Sequence, residues 1–342
     1  MRRRRFIAAV ATATGAGLVP ASLAEAAVNA PDRLDGSVTL PTAVEEIAGD
    51  IWATGATYVD PRHAPARAEL LDVALWQWAQ ASVAARRACR NPAQYRRALA
   101  VEAEAARQCA MIYGDRRQHA QAVKFYRLGA AAAARAEHHE LVATILTGRA
   151  YQPLYAGAFD RSISTATVAL TELEKATRPG GRAAVTAYAL LARSYAALGD
   201  TNSMEQALRA AYGAMARYTG AGSASLPAPH HPQRFAWVKL RLATAEAYAA
   251  VGDGRRHAKA HAAALADPSV SQMHRPMLAM GEAEVTTDPA AAAHHALTVL
   301  RGYGQPPNPI VGRARAVAAR AHQRAPRSPE VEALRIQLLK LR

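Results

Sequence analysis

Six residues, Tyr195-Ala-Ala-Leu-Gly-Asp200, return almost unchanged as Tyr248-Ala-Ala-Val-Gly-Asp253. Each copy closes one Ala-rich stretch and opens another. Glycine ends a helix in the left-handed conformation at little steric cost, and the Asp after it accepts amide hydrogen bonds at the start of the next helix. Two antiparallel helices joined in this way leave an apolar face that only a neighbouring pair can cover. The chain is thereby constrained to an all-α stack of helical hairpins, an α-solenoid, whose first helices would line a concave groove.

The side chains available fit that constraint. Apolar residues make up 51% of the chain and aromatic ones only 6%, so the core is built mainly from Ala and Leu, which let helices approach closely. Strand-forming residues are sparse. The formal charge of +15 is carried mostly by arginine; the lysines are Lys124, Lys175, Lys239, Lys259 and Lys340. Most of this charge is dispersed. It concentrates at Arg2 to Arg5 and in the tail from Arg313, which also holds Arg315, Arg320, Arg324, Arg327, Arg335, Lys340 and Arg342. The tail reads as a solvated capping pair of helices, with nucleic-acid contact as the alternative. Cys89 and Cys109 have no metal-like spacing and read as buried structural thiols.

Along the chain, residues 27–40 read as a polar lead-in, and a first helix is expected from Thr42 to Ala56. A second runs from Arg67 to Arg90, stopped by Asn91-Pro92, where Asn caps and Pro suits the first turn of the next helix. Helix then follows helix. The breaks fall at Gly114-Asp115, Gly157 with Asp160, Arg178-Pro-Gly-Gly181, Gly199-Asp200, Gly252-Asp253, Asp267-Pro268, Asp288-Pro289 and Ser328-Pro329. Thr219 to Gln233, rich in Gly and Pro, reads as an irregular insertion between two repeats.

Tyr-x-x-x-Gly at Tyr195 and Gly199, with Tyr188, Leu191, Ala192, Leu208 and Ala211 around it, resembles the tetratricopeptide repeat (TPR). Tyr248 and Gly252, with Ala245 and Ala264, resemble it again. The copy at Gly157 has Pro153 in place of the Tyr and carries Ser162, Ala166 and Ala169 on its second helix. More specifically, Ala130-Ala-Ala-Ala-Ala-Arg135, Leu141-Val-Ala-Thr-Ile-Leu-Thr147, Gln152-Pro-Leu-Tyr-Ala-Gly157 and Gln118 to Arg127 resemble the C-terminal TPR region of actinobacterial helix-turn-helix (XRE-type) transcriptional regulators. The likeness spans most of residues 41–342. It implies a regulatory or sensing module that captures a peptide or protein segment, with a possible homo-oligomer. The alternative that the resemblance implies is a nucleic-acid-associated transcriptional regulator lacking its own helix-turn-helix and using the basic tail.

In the repeat register that the resemblance implies, the residues facing the groove are Tyr151 and Tyr155, Arg193, and Lys239 with Glu246. Aromatic and cationic side chains together suit an extended peptide or its carboxylates. No catalytic residue, cofactor or metal is expected. The chain has no G-x-S-x-G, Walker A, G-x-G-x-x-G or kinase-like string. His257 and His261 stand one helical turn apart, but no H-E-x-x-H or carboxylate motif completes them as a metal set.

The N-terminus admits two readings. Arg2-Arg-Arg-Arg-Phe6-Ile7, an uncharged Ala/Thr/Gly run and Ala24-Glu25-Ala26 have the order of a signal peptide, of the twin-arginine type, and would send the protein out of the cytoplasm. The same residues could instead be a linker of a cytoplasmic protein. Gly15, Gly17 and Pro20 argue against a permanent membrane span. N-terminal sequencing of the purified native protein distinguishes the two: export gives a mature chain beginning at Ala27, and a linker leaves Met1 in place.

Overall fold

The computed structural model describes residues 34, 36, 38–59, 67–176, 181–219, 232–267, 275–303, 306 and 308–341. The signal-like segment 1–26 and residues 220–231 of the Gly/Pro-rich insertion lie outside them. The regular structure among the described residues is all helical: 14 α-helices and one short 3-10 helix, with no strand. We number them α1 (Leu40–Val59), α2 (Arg67–Arg87), α3 (Pro92–Asp115), α4 (His119–Arg135), α5 (His139–Tyr155), α6 (Phe159–Glu174) and α7 (Gly181–Ala197). There follow α8 (Thr201–Thr219), α9 (Pro232–Ala250), α10 (Gly254–Leu265), α11 (Arg275–Val285), α12 (Pro289–Arg301), α13 (Asn308–Arg324) and α14 (Pro329–Lys340). The 3-10 turn Ala88–Arg90 follows α2 where sequence suggested continued α-helix. Asn91 then caps α3 as expected, its Oδ1 accepting from the amides of Ala93 and Gln94 at 3.1 and 3.2 Å.

One turn geometry recurs five times. The amide of Asp200 closes on the carbonyl of Tyr195 at 3.0 Å, that of Asp253 on Tyr248 at 3.0 Å, and that of Ala158 on Pro153 at 2.9 Å. The same bond joins Gln118 to Tyr113 and His138 to Ala133. In each, the residue before the donating amide is left-handed: Gly199, Gly252 and Gly157, but also Arg117 at φ 61° and Glu137 at φ 56°. Sequence had placed one of these breaks at Gly114-Asp115. In the structure α3 runs through Gly114, which is buried, and the chain reverses at Arg117. The break at Glu137 carries no glycine and was not foreseen. Of the D-P and S-P sites, Asp288 and Ser328 cap α12 and α14 as expected. Asp267 instead is buried and pairs with Arg241 at 3.2 Å.

Contacts divide the chain into two compact units, Met1–Gly114 with Gln118–Ile145, and Asp115–Arg117 with Leu146–Arg342. In the first, Trp78 meets Phe125 edge-on at 5.1 Å and Tyr113 stacks on Phe125 at 5.5 Å. Gly129 lets α4 lie close on α3, since a Cβ there would sit 3.0 Å from the Ala103 carbonyl oxygen. Cys109 is buried in this core, and burial pushes its thiol pKa up; Cys89, expected to be buried, is exposed because it stands on the 3-10 turn.

In the second unit, helices pack by alternation. The helix α7 lies against α6, α8 and α9; α9 against α10 and α11; and α11 against α12 and α13, with α14 closing on α12 and α13. Small residues stand where first and second helices touch, as at Ala150, Ala192 and Ala245, all buried and all seven positions before a turn glycine. The helix α13 also returns to α5. A Cβ on Gly312 would lie 2.8 Å from the Tyr155 carbonyl oxygen, so only glycine permits that approach. We expect Gly312→Ala to lower stability by about 1–3 kcal/mol. Gly213→Ala on α8, where a Cβ would meet only the end of Arg217 at 3.6 Å, should instead raise it by about 0.5–1 kcal/mol. Chemical denaturation of the two variants checks the contrast.

Candidate functional site

Tyr151, Arg193 and Glu246 each stand six residues before a turn glycine, so equivalent positions of three successive hairpins place them in a row. The guanidinium of Arg193 lies over the rings of Tyr151 and Tyr155, at 5.6 and 5.4 Å from their centroids, and the two rings stack at 5.7 Å. Arg193 Nη1 donates to the Tyr155 hydroxyl at 3.5 Å, and its Nε meets Glu246 Oε2 at 2.6 Å. Lys239 stands two helical turns before Glu246 on α9, hence on the same face. All five residues expected to face the groove are thus brought together, by α5, α7 and α9.

Their surroundings differ from an open wall. The other oxygen of Glu246 accepts from Arg313 Nη1 at 2.9 Å, and Arg313 makes a forked pair with Glu284, Nε to Oε1 at 2.8 Å and Nη2 to Oε2 at 2.7 Å. Its Nη1 also donates to the Met277 carbonyl at 2.7 Å. Side-chain exposure is 11% at Arg193, 7% at Glu246, 10% at Arg313 and 9% at Glu284, low enough that water screens these pairs weakly. Arg193 and Glu246 are therefore each other's partners first, because a charge enclosed this far must be matched. Tyr151, Tyr155 and Lys239 remain partly exposed.

The electrostatics follow from enclosure. Burial raises the hydroxyl pKa of both tyrosines, with Arg193 opposing, so they stay protonated donors. Burial lowers the Lys239 pKa, helped by Arg193 and resisted by Glu246 and Asp115. For Arg193, burial acts to lower the pKa, but Glu246 and the two phenols outweigh it; for Arg313 the same contest is won by Glu284 and Glu246. Both guanidinium groups stay charged.

Sequence reasoning missed Glu284 and Arg313. Arg313 had been assigned to a solvated basic tail; in the structure it is the hub of a buried network, reached because Gly312 brings α13 against α5 and Gly281 leaves room on α11. Two other tail arginines are engaged at the surface, Arg320 with the Glu284 carbonyl and Arg335 with Glu332. The local signal was a glycine beside each charged stretch, which no repeat register marks. Elsewhere, His257 and His261 stack at 5.4 Å. Among the described residues no group of three His, Cys, Asp or Glu is arranged to hold a metal ion, and no helix is long and apolar enough to cross a membrane.

Removing the shared carboxylate should expose its weight. Glu246→Ala leaves two enclosed guanidinium groups short of a partner and should cost about 3–5 kcal/mol. Adding Arg193→Ala should cost much less than Arg193→Ala alone, since both remove the same interaction. Denaturant titration of the double-mutant cycle measures this. Searched against protein-family models, curated proteins and solved structures, the chain matches none.

Proposed function

We propose that this chain is a non-enzymatic, TPR-like binding module that captures an extended segment of a partner protein on the inner side of its first helices. The observation that carries this reading is the placement of Tyr151, Tyr155, Arg193 and Lys239, all partly exposed, on three successive first helices, with Arg193 over both tyrosine rings. Phenol hydroxyls and a cationic amine offer donors to backbone carbonyls and acidic side chains. The stacked rings offer flat apolar contact to an extended chain. The Arg193–Glu246–Arg313–Glu284 network holds Arg193, and through it the two tyrosine rings stacked under its guanidinium, so these side chains lose little freedom on binding. A sensing or regulatory role, as the resemblance to XRE-type regulators implies, would be exerted through such capture.

The test is selection from a displayed peptide library against the intact protein, followed by affinity measurement on Tyr151→Ala and Lys239→Met. Enriched peptides should bind the wild type and lose at least about tenfold affinity, some 1.4 kcal/mol, on each variant while the variants keep cooperative unfolding. Selection of no peptide, or equal binding by the variants, refutes the proposal. Duplex DNA bound with an affinity that falls steeply with salt, and weakened by removing Arg324 and Arg327, would favour the nucleic-acid-associated alternative instead.

A further inference from the structure

The turn between α11 and α12 faces one side of α13 across a cleft that takes no side chain from the buried network. Val317, Arg320, Ala321 and Arg324 stand at i, i+3, i+4 and i+7, so a single face of α13 forms one wall. Thr287 and Ala292 stand opposite. The enclosed part measures about 20 Å³. That is room for one oxygen-sized group, and anything larger must extend from the mouth into solvent.

The polar lining is cationic and has donors to spare. Arg320 donates from Nη2 to the Glu284 carbonyl at 3.0 Å and meets no carboxylate among the described residues, the Glu284 carboxylate being forked to Arg313. Arg324 and Thr287 are exposed and make no hydrogen bond or ion pair among the described residues. Thr286 has no proton to give, since its hydroxyl donates to the Glu282 carbonyl at 2.7 Å. The start of α12 adds little: Pro289 has no amide hydrogen, and the amide of Ala291 goes to Asp288 Oδ1 at 2.8 Å. No acidic side chain is among the described residues that line the cleft. Two guanidinium groups one helical turn apart therefore repel each other without a counter-charge between them. A group carrying a single negative charge would match only one of them.

We propose that this cleft binds the phosphoryl group of a phosphate monoester. Such a group carries close to two negative charges at neutral pH and three acceptor oxygens, which matches two cations and a hydroxyl donor. One oxygen enters the enclosed part, where the Thr287 hydroxyl donates to it. The other two meet Arg320 and Arg324 at the mouth, where the fork of a guanidinium suits a phosphoryl edge. Ala292, Val317 and Ala321 give apolar contact to the carbon that bears the phosphate. A carboxylate or a phosphodiester, each with one charge, leaves one arginine unmatched. The cleft shares no residue with the Tyr151, Tyr155, Arg193 and Lys239 site, so it stands whether or not a peptide binds there.

Titration of the intact protein with ethyl phosphate, followed by NMR at the arginine Nε–H groups and the backbone amides, tests it. Saturable shifts should centre on Thr287, Arg320 and Arg324. Arg324→Gln should weaken binding at least about tenfold, and Arg315→Gln, an exposed arginine of α13 outside the cleft, less than about twofold. Should Arg324→Gln fail to unfold cooperatively, Thr287→Val carries the same comparison. Inorganic phosphate should bind more weakly than the ethyl ester, because it lacks the carbon that meets the apolar wall. Acetate and dimethyl phosphate should bind more weakly still. The proposal is overturned by the lack of any saturable shift, by equal weakening in Arg315→Gln, or by acetate, dimethyl phosphate or inorganic phosphate binding as tightly as the ester.

Discussion

Glu246 is the interaction on which the second unit depends. One carboxylate, 7% exposed, is divided between two arginines on different helices, Arg193 on α7 and Arg313 on α13. Arg193 has no other carboxylate partner in this network, Arg313 shares Glu246 with Glu284, and the carboxylate is enclosed because both guanidinium groups match it. The pairing therefore ties α9 to α7 and, through the Arg313 side chain, to α13. Apolar packing of Ala and Leu would tolerate several helix arrangements of similar energy, while a set of matched charges with 2.6–2.9 Å bonds tolerates one. The two tyrosines complete the arrangement by offering their faces to the side of Arg193 that the carboxylate leaves open.

The turns supply the second constraint. Five helix ends close by the same amide-to-carbonyl bond with one left-handed residue, and three of these use glycine. Arg117 and Glu137 accept a conformation that costs roughly 1–2 kcal/mol without glycine. Each has something to offset it: Arg117 donates to the Leu341 carbonyl, and Glu137 pairs with Arg96 at 3.1 Å. The exposed pair at Glu137 contributes little, so its turn is held mainly by the packing of the helices on either side.

This explains what could be read from sequence and what could not. Gly199 and Gly252 announce their turns because glycine is the residue that makes the left-handed conformation easy, and the helices between them follow from composition. The turns at Arg117 and Glu137 were hidden because neither carries the glycine that marks the other three, and Gly114, the nearby glycine, serves packing inside α3 instead. At the site, the position six residues before the glycine was legible for Tyr151, Arg193 and Glu246, since it repeats. Their engagement with one another, and with Glu284 and Arg313, was not. That pairing depends on α11 and α13, whose hairpins lack the Tyr-x-x-x-Gly mark, and on a glycine whose value lies in what touches it.

The approach of Gly312 to the Tyr155 carbonyl limits how this architecture can change. Arrays of stacked hairpins ordinarily grow or shrink by duplication or loss of a unit, because each unit touches only its neighbours. Here α13 meets α5 across the intervening pairs. An added pair would pull that contact apart and leave Arg313 away from Glu246, and a lost pair would drive the two helices into collision. The tally of hairpins is locked by geometry, so variation in this protein is free to enter its connecting loops and outer faces but not its count.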